Sequence, residues 1–292
     1  MRRTGARIAW IVALMGLGWV VAQLWQDYRA SRARRTMTSE AASMSMKAPS
    51  AFLFNIGGHG YTILALAGIH GYTQSQAFAL ALGTQVPDLC TEYSATQVAW
   101  RSLLSWPWRQ AVMASLHSLH GSNAVGVMAR QRALVRRAMQ QLGSGSDAAA
   151  IGVTLHALGD AFAHVRENGS AYGSWVGHLW AGHEPDHLTH NVSRYASYLR
   201  ALNVVMKAHR PLPRDVAKRA DAEVDSLMTT VSRLTEPDSA EKAVLAYADR
   251  YYPMTALQLH EEAQCARFPN ATMRPRIVAL HDAMVARNDP VE

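Results

Sequence analysis

Residues 148–165, "AAAIGVTLHALGDAFAHV", contain no Lys, Arg or Glu. The apolar spacing is that of a helix, and Ser146-Asp147 in front of it supplies a start signal. Water-facing helix faces normally carry those three residue types. Their absence argues against a solvated stripe, although His156, Asp160 and His164 stand on this segment at i, i+4 and i+8. Gly152, Ala157, Gly159, Ala161 and Ala163 would let neighbouring helices come close. Such a helix belongs in the interior of a helical bundle, with its polar groups gathered into a site.

The rest of the sequence supplies the neighbours. Segments such as "YTILALAGI", "SQAFALALG", "AVGVMARQRALVRRAMQQLG", "HNVSRYASYLRALNVVMKAH" and "PRDVAKRADAEVDSLMTTVSRL" repeat apolar residues every three to four positions. No alternating β-branched run and no fixed-period repeat is apparent. The expected fold is an all-α, multi-helix bundle with a metal site in its core, preceded by an N-terminal hydrophobic segment. The "GSAYGSWVGHLWAGHEPD" stretch, rich in Gly and aromatics, reads as a loop.

Three parts follow along the chain: residues 1–26, a signal peptide or membrane anchor; 27–50, a flexible linker; and 51–292, the helical domain. "MRRTGAR" followed by the apolar "IAWIVALMGLGWVVAQLW" has the charged and apolar regions of a secretory signal. The run is also long enough to remain in a membrane. The expectation is export to the periplasm or the extracellular space, with residues 8–25 either removed or kept as an inner-membrane anchor. The alternative is an anchored cytoplasmic domain. Of the chain's 29 Lys/Arg, eight precede residue 48, against two acids there. The remainder is nearly neutral, which gives no support for a nucleic-acid face. The two cysteines, Cys90 and Cys265, either form one long-range disulfide or stay as thiols.

Ten of the 13 histidines fall between His59 and His190. Imidazole and carboxylate are the usual ligands of hydrolytic zinc sites. His59 follows two glycines. Asp88 lies in "QVPDL", where it could equally be a turn residue. His117 and His120 are close in "SLHSLHG". His156, Asp160 and His164 share the apolar helix, and His178, His183, Asp186, His187 and His190 follow.

In order and type, "GGHGYTILALAGI", "QVPDL", "SLHSLHG" and "LHALGDAFAH" resemble the zinc-dependent phospholipase C and single-strand-specific nuclease superfamily. The resemblance implies an all-α fold with two or three zinc ions. It implies metal ligands at His59, Asp88, His117 (favoured over His120), His156, Asp160, His164 and His178, with Asp160 bridging. Position 182, four after His178, is Gly rather than an acid. The closing carboxylate therefore falls to Asp186, three after His183, which is counted as a ligand with it; Glu167 is second.

The function expected from this is a metal-dependent phosphodiesterase, phospholipase C-like, acting through an activated water. Asp88 is the candidate catalytic residue, as a ligand or as the group that orients or deprotonates that water. The expected substrate is a phosphoester such as a phospholipid head group, with Tyr172, Trp175 and Trp180 near the substrate mouth. A non-catalytic exported metal-binding or interaction protein on the same fold is the alternative, and a nuclease the lesser one.

Overall fold

The computed structural model describes residues 56–101, 105–174, 187–253, 259 and 269–287. The chain divides after Pro49, and every described residue belongs to the unit Ser50–Glu292. The N-terminal apolar segment and the linker lie outside the described residues. Among the described residues no helix is long and apolar enough to cross a membrane.

The elements are helical throughout. A π-helical stretch, Gly57–Tyr61, runs into α1 (Thr62–Ile69), followed by α2 (Gln74–Leu89) and α3 (Ala95–Arg101). Helix α4 (Trp106–Gln110) runs into a second π-helical stretch, Ala111–Leu116. Then come α5 (Ala124–Gly143), α6 (Ala148–Ala163), α7 (Val192–His209), α8 (Arg214–Ser232), α9 (Pro237–Tyr251) and α10 (Asn270–Val285). Among the described residues there is no strand, only one isolated bridge between Val165 and Ala171. The all-α bundle expected from the periodicity is what the chain forms.

Side chains set the helix starts. Thr73 closes a capping box with Gln76 on α2, and Asn123 and Asn191 accept from the first turns of α5 and α7. Asp147 accepts from the Ala150 amide at 2.8 Å to start α6. Each satisfies amides that the helix cannot pair internally.

Helix α6 is the central element. Every residue from Ile151 to Ala163 is buried, as the missing Lys, Arg and Glu require. It packs most extensively on α2, and also on α5, α7 and α10. The α2–α6 crossing depends on two glycines. A Cβ on Gly152 would lie 2.3 Å from the Gly83 carbonyl carbon, and one on Gly83 would lie 2.8 Å from the Ala148 oxygen. No side chain fits there, so the backbones touch and the C-terminal turns of both helices converge on one spot. Helix α1, buried along its whole length, packs against α2 and α9.

Two local features differ from the periodic reading. "WRQAVMASLHSLHG" is helical only to Leu116, and its last turns are π-helical, with the His117 amide bonded to the Val112 oxygen at 2.9 Å. Helix α6 ends at Ala163, so His164 is its C-cap and does not continue the stripe. Cys90, buried at the C-terminus of α2, is disulfide-bonded. Cys265, the chain's other cysteine, lies outside the described residues.

Candidate metal centre

Four pieces of chain deliver five side chains to one buried spot. The first π-helical stretch brings His59, the last turn of α2 brings Asp88, the end of the second π-helical stretch brings His117, and α6 brings His156 and Asp160. His59, His117, His156 and Asp160 are wholly buried, and Asp88 retains 8% exposure. π-helical turns are rare and concentrate at functional sites. Here both of the described ones end on, or contain, a histidine of the cluster.

Local structure positions each group. The π turn of Gly57–Tyr61 is held by the Tyr61 amide on the Ile56 oxygen at 2.8 Å and by the Gly60 amide on Gln85 Oε1 at 3.3 Å. Beyond His117 the chain turns through Ser118, whose φ of 51° is the left-handed region that non-glycine residues avoid. Two bonds from α6 hold that turn. Ser118 Oγ donates to the Ala157 oxygen at 2.8 Å, and His164 Nδ1 donates to the His117 oxygen at 2.7 Å.

The imidazole protons are fixed by backbone acceptors. His156 Nδ1 lies 2.9 Å from the Thr84 oxygen, and His117 Nε2 lies 2.9 Å from the Tyr93 oxygen. Each of those nitrogens must carry a proton, which leaves lone pairs on His156 Nε2 and His117 Nδ1 when the rings are neutral. Burial pushes both imidazoles toward the neutral form. The two lone-pair nitrogens then face each other at 3.2 Å. Asp160 Oδ2 lies 3.0 Å from His117 Nδ1 and 3.3 Å from His156 Nε2. Burial alone would raise the Asp160 carboxyl, but the neighbouring His164 opposes it, and the carboxyl lies well below the usual carboxylate range.

Two facing lone-pair nitrogens beside a buried carboxylate call for a cation. Helix dipoles add to that demand, because Asp88 and Asp160 both sit in the last turn of their helices, at the negative end. The spacings fit a metal. Zn–N distances of ~2.0–2.1 Å put adjacent donors of a tetrahedron about 3.3 Å apart. Two groups, His59–Asp88–His156 and His117–His156–Asp160, each offer ligand atoms within 4.8 Å of one another. The buried cluster can hold a metal ion. The backbone acceptors on the far nitrogens of His117 and His156 are the partners that orient metal-bound imidazoles.

His59, Asp88, His117, His156 and Asp160 are thus brought together. His164 sits beside them, its Nδ1 3.7 Å from Asp160 Oδ2; that nitrogen serves the His117 turn. His120 is outside the cluster: it pairs with Ser122 Oγ at 2.6 Å, and burial, then Arg130, pushes its pKa down to about 3. Glu167 is exposed and acts on Arg194. His178, His183 and Asp186, like Trp175 and Trp180, lie outside the described residues. The Thr84 and Tyr93 carbonyls were not foreseen, since a backbone acceptor leaves no mark in a sequence; the sequence marks Gly159 as admitting a close neighbour but does not say that the neighbour is His59. Comparison of the chain with protein-family models, with curated proteins and with solved structures returns no match.

Proposed function

We propose that the protein is a metal-dependent phosphoester hydrolase with a two-metal centre. One observation carries this reading: each carboxylate divides its oxygens between two sets of nitrogens. Asp160 turns Oδ2 to His117 and His156 but Oδ1 to His59, at 3.0 Å. Asp88 does likewise, with Oδ1 3.7 Å from His156 Nε2 and Oδ2 3.7 Å from His59 Nε2. His117, His156 and one oxygen from each carboxylate would hold one ion. His59 and the other two oxygens would hold the second, with fewer protein donors and hence room for an outside ligand. An N/O donor set without thiolate suits zinc.

Bound metal would supply Lewis acidity toward phosphoryl oxygens and a lowered pKa for water. The chain's own contribution is rigidity: Thr84 and Tyr93 fix the two imidazole tautomers, and His164 fixes the turn that carries His117. Asp88, at the last turn of α2, presents its carboxylate to both halves of the centre, where a water activated by the metal would sit. Its role is to orient that water. A phospholipid head group is the favoured substrate, in keeping with an exported, membrane-proximal enzyme; a nuclease is second.

The depth of burial favours one other reading, a non-catalytic protein in which metal only braces the bundle. Metal analysis of the purified full chain, with turnover of a phospholipid, a nucleotide and a generic phosphodiester before and after chelation, separates the two. Bound zinc with chelator-sensitive turnover is the expected result. Bound zinc with no turnover of any ester favours the binding protein. A chain without metal, indifferent to His156→Ala and Asp160→Ala, removes the site hypothesis.

A further inference from the structure

Gly159 lies in the interior of α6, one residue before Asp160. A Cβ built there would stand 2.6 Å from His59 Cε1 and 2.8 Å from His59 Nδ1, with the Tyr198 hydroxyl at 3.2 Å. Real Cβ atoms do not approach a ring that closely. The His59 ring therefore occupies the space a side chain at 159 would fill. It lies against the helix with its centroid 4.4 Å from that of His156, and from there Nε2 reaches Asp160 Oδ1 at 3.0 Å.

His59 has little freedom to retreat. Its segment is pinned through the Gly60 amide to Gln85 and through Thr62, whose hydroxyl bonds the Gly57 oxygen at 2.6 Å and the Tyr195 hydroxyl at 2.8 Å. His117 and His156 are anchored elsewhere, on Tyr93 and Thr84. Nothing that holds them passes through residue 159. The cluster thus has a half that needs the glycine and a half that does not.

We propose that Gly159 is a positioning residue of the metal centre: its missing side chain admits His59 to the face of α6, so the His59 half of the centre can be displaced while the His117–His156 half remains. This rests on the two-metal reading for its consequence on metal content, but its physical core is the packing of residue 159 against residue 59.

The test is a cycle of four full-length proteins: wild type, Gly159→Ala, His59→Ala and the double variant. Thermal unfolding is first measured after exhaustive chelation. Alanine is the better helix former, so Gly159→Ala lowers the midpoint only if the methyl collides. The expected result is a clear fall in the presence of His59 and a much smaller fall, or a rise, in the His59→Ala background. An equal fall in both backgrounds overturns the proposal. Zinc content is then measured at saturation. Gly159→Ala and His59→Ala are expected to lose the same part of the wild-type zinc and to keep the rest. Full wild-type zinc in Gly159→Ala, with a reduced content in His59→Ala, also overturns it. A wild type that binds no zinc refutes the metal reading and leaves the chelated cycle to decide the packing claim.

Discussion

Asp88 and Asp160 are carried by two helices whose backbones touch at Gly83 and Gly152, and each points one carboxylate oxygen at His59 and the other at the His117–His156 pair. Everything distinctive about the centre depends on that crossing.

The crossing is tested by filling it. Gly152→Ala places a methyl 2.3 Å from backbone carbon, which no rotamer change relieves. The expected loss is about 3 kcal/mol or more, at the upper end for overpacking because backbone has to move. Gly143→Ala, at the end of α5 with nothing within 4 Å of its Cβ, is expected to be neutral or stabilising by up to about 1 kcal/mol. Urea unfolding of the two variants checks the contrast.

Metal occupancy should appear as stability. A ligand that binds only the folded chain stabilises it by RT ln(1 + [L]/Kd), ~4 kcal/mol at a thousandfold excess over Kd. Added zinc is expected to raise the thermal midpoint of the wild type and chelator to lower it. His156→Ala should shrink the difference, since it removes a donor from the His117–His156 half of the centre. Scanning calorimetry with and without zinc measures it.

The turn after His117 stores strain. Ser118 has φ of 51° and donates to the Ala157 oxygen. Ser118→Val puts a β-branched residue into the left-handed region and deletes the bond. The expected cost is ~2 kcal/mol, summing strain and a lost hydrogen bond. Ser118→Gly relieves the strain but not the lost bond and should cost less. Denaturant midpoints of the two variants give the order.

Acid sensitivity has a surface source at Asp147. Arg276 hydrogen-bonds Asp147 and holds its carboxyl below the usual carboxylate range. A depressed carboxylate adds stability above its unfolded pKa, and that stability is lost as pH falls through the folded pKa. The loss therefore begins below about pH 4 and grows with further acid. The Asp147 side chain is 54% exposed, so solvent screening limits the contribution to about 1 kcal/mol or less. Arg276→Ala should flatten the acid limb of stability against pH between 5 and 2 (about one unit either side of the usual carboxylate range), measured by urea melts.

How much of this was legible in the sequence varied with the physics that records it. His156 and Asp160 were plain because burial of a whole helix leaves a compositional trace: no Lys, Arg or Glu from 148 to 165. His59, Asp88 and His117 were legible as candidates through their order along the chain, not through local pattern. His164 caps the helix: its amide still bonds the Asp160 oxygen, but its ring turns to the His117 carbonyl, and periodicity carries no mark of which ring a carbonyl will claim. The π-helical turns were invisible, because a single wide turn has the same residue types as an α-helical one. Asp88 looked like a turn residue after Pro87; only the fold reveals that it is buried at the wrong end of a helix dipole.

His59 and Asp160 are separated by 101 positions, and Asp88 and His117 fall between them. The five donors of the centre come together only when the bundle folds. An ion that binds after the helices have closed meets five donor side chains that are all shut away from water, the Asp88 carboxylate among them at 2% exposure. Loading and stripping of such an ion would then require the bundle to open. The measurable signature is a chelation half-time set by that opening, and not by the affinity of the centre itself.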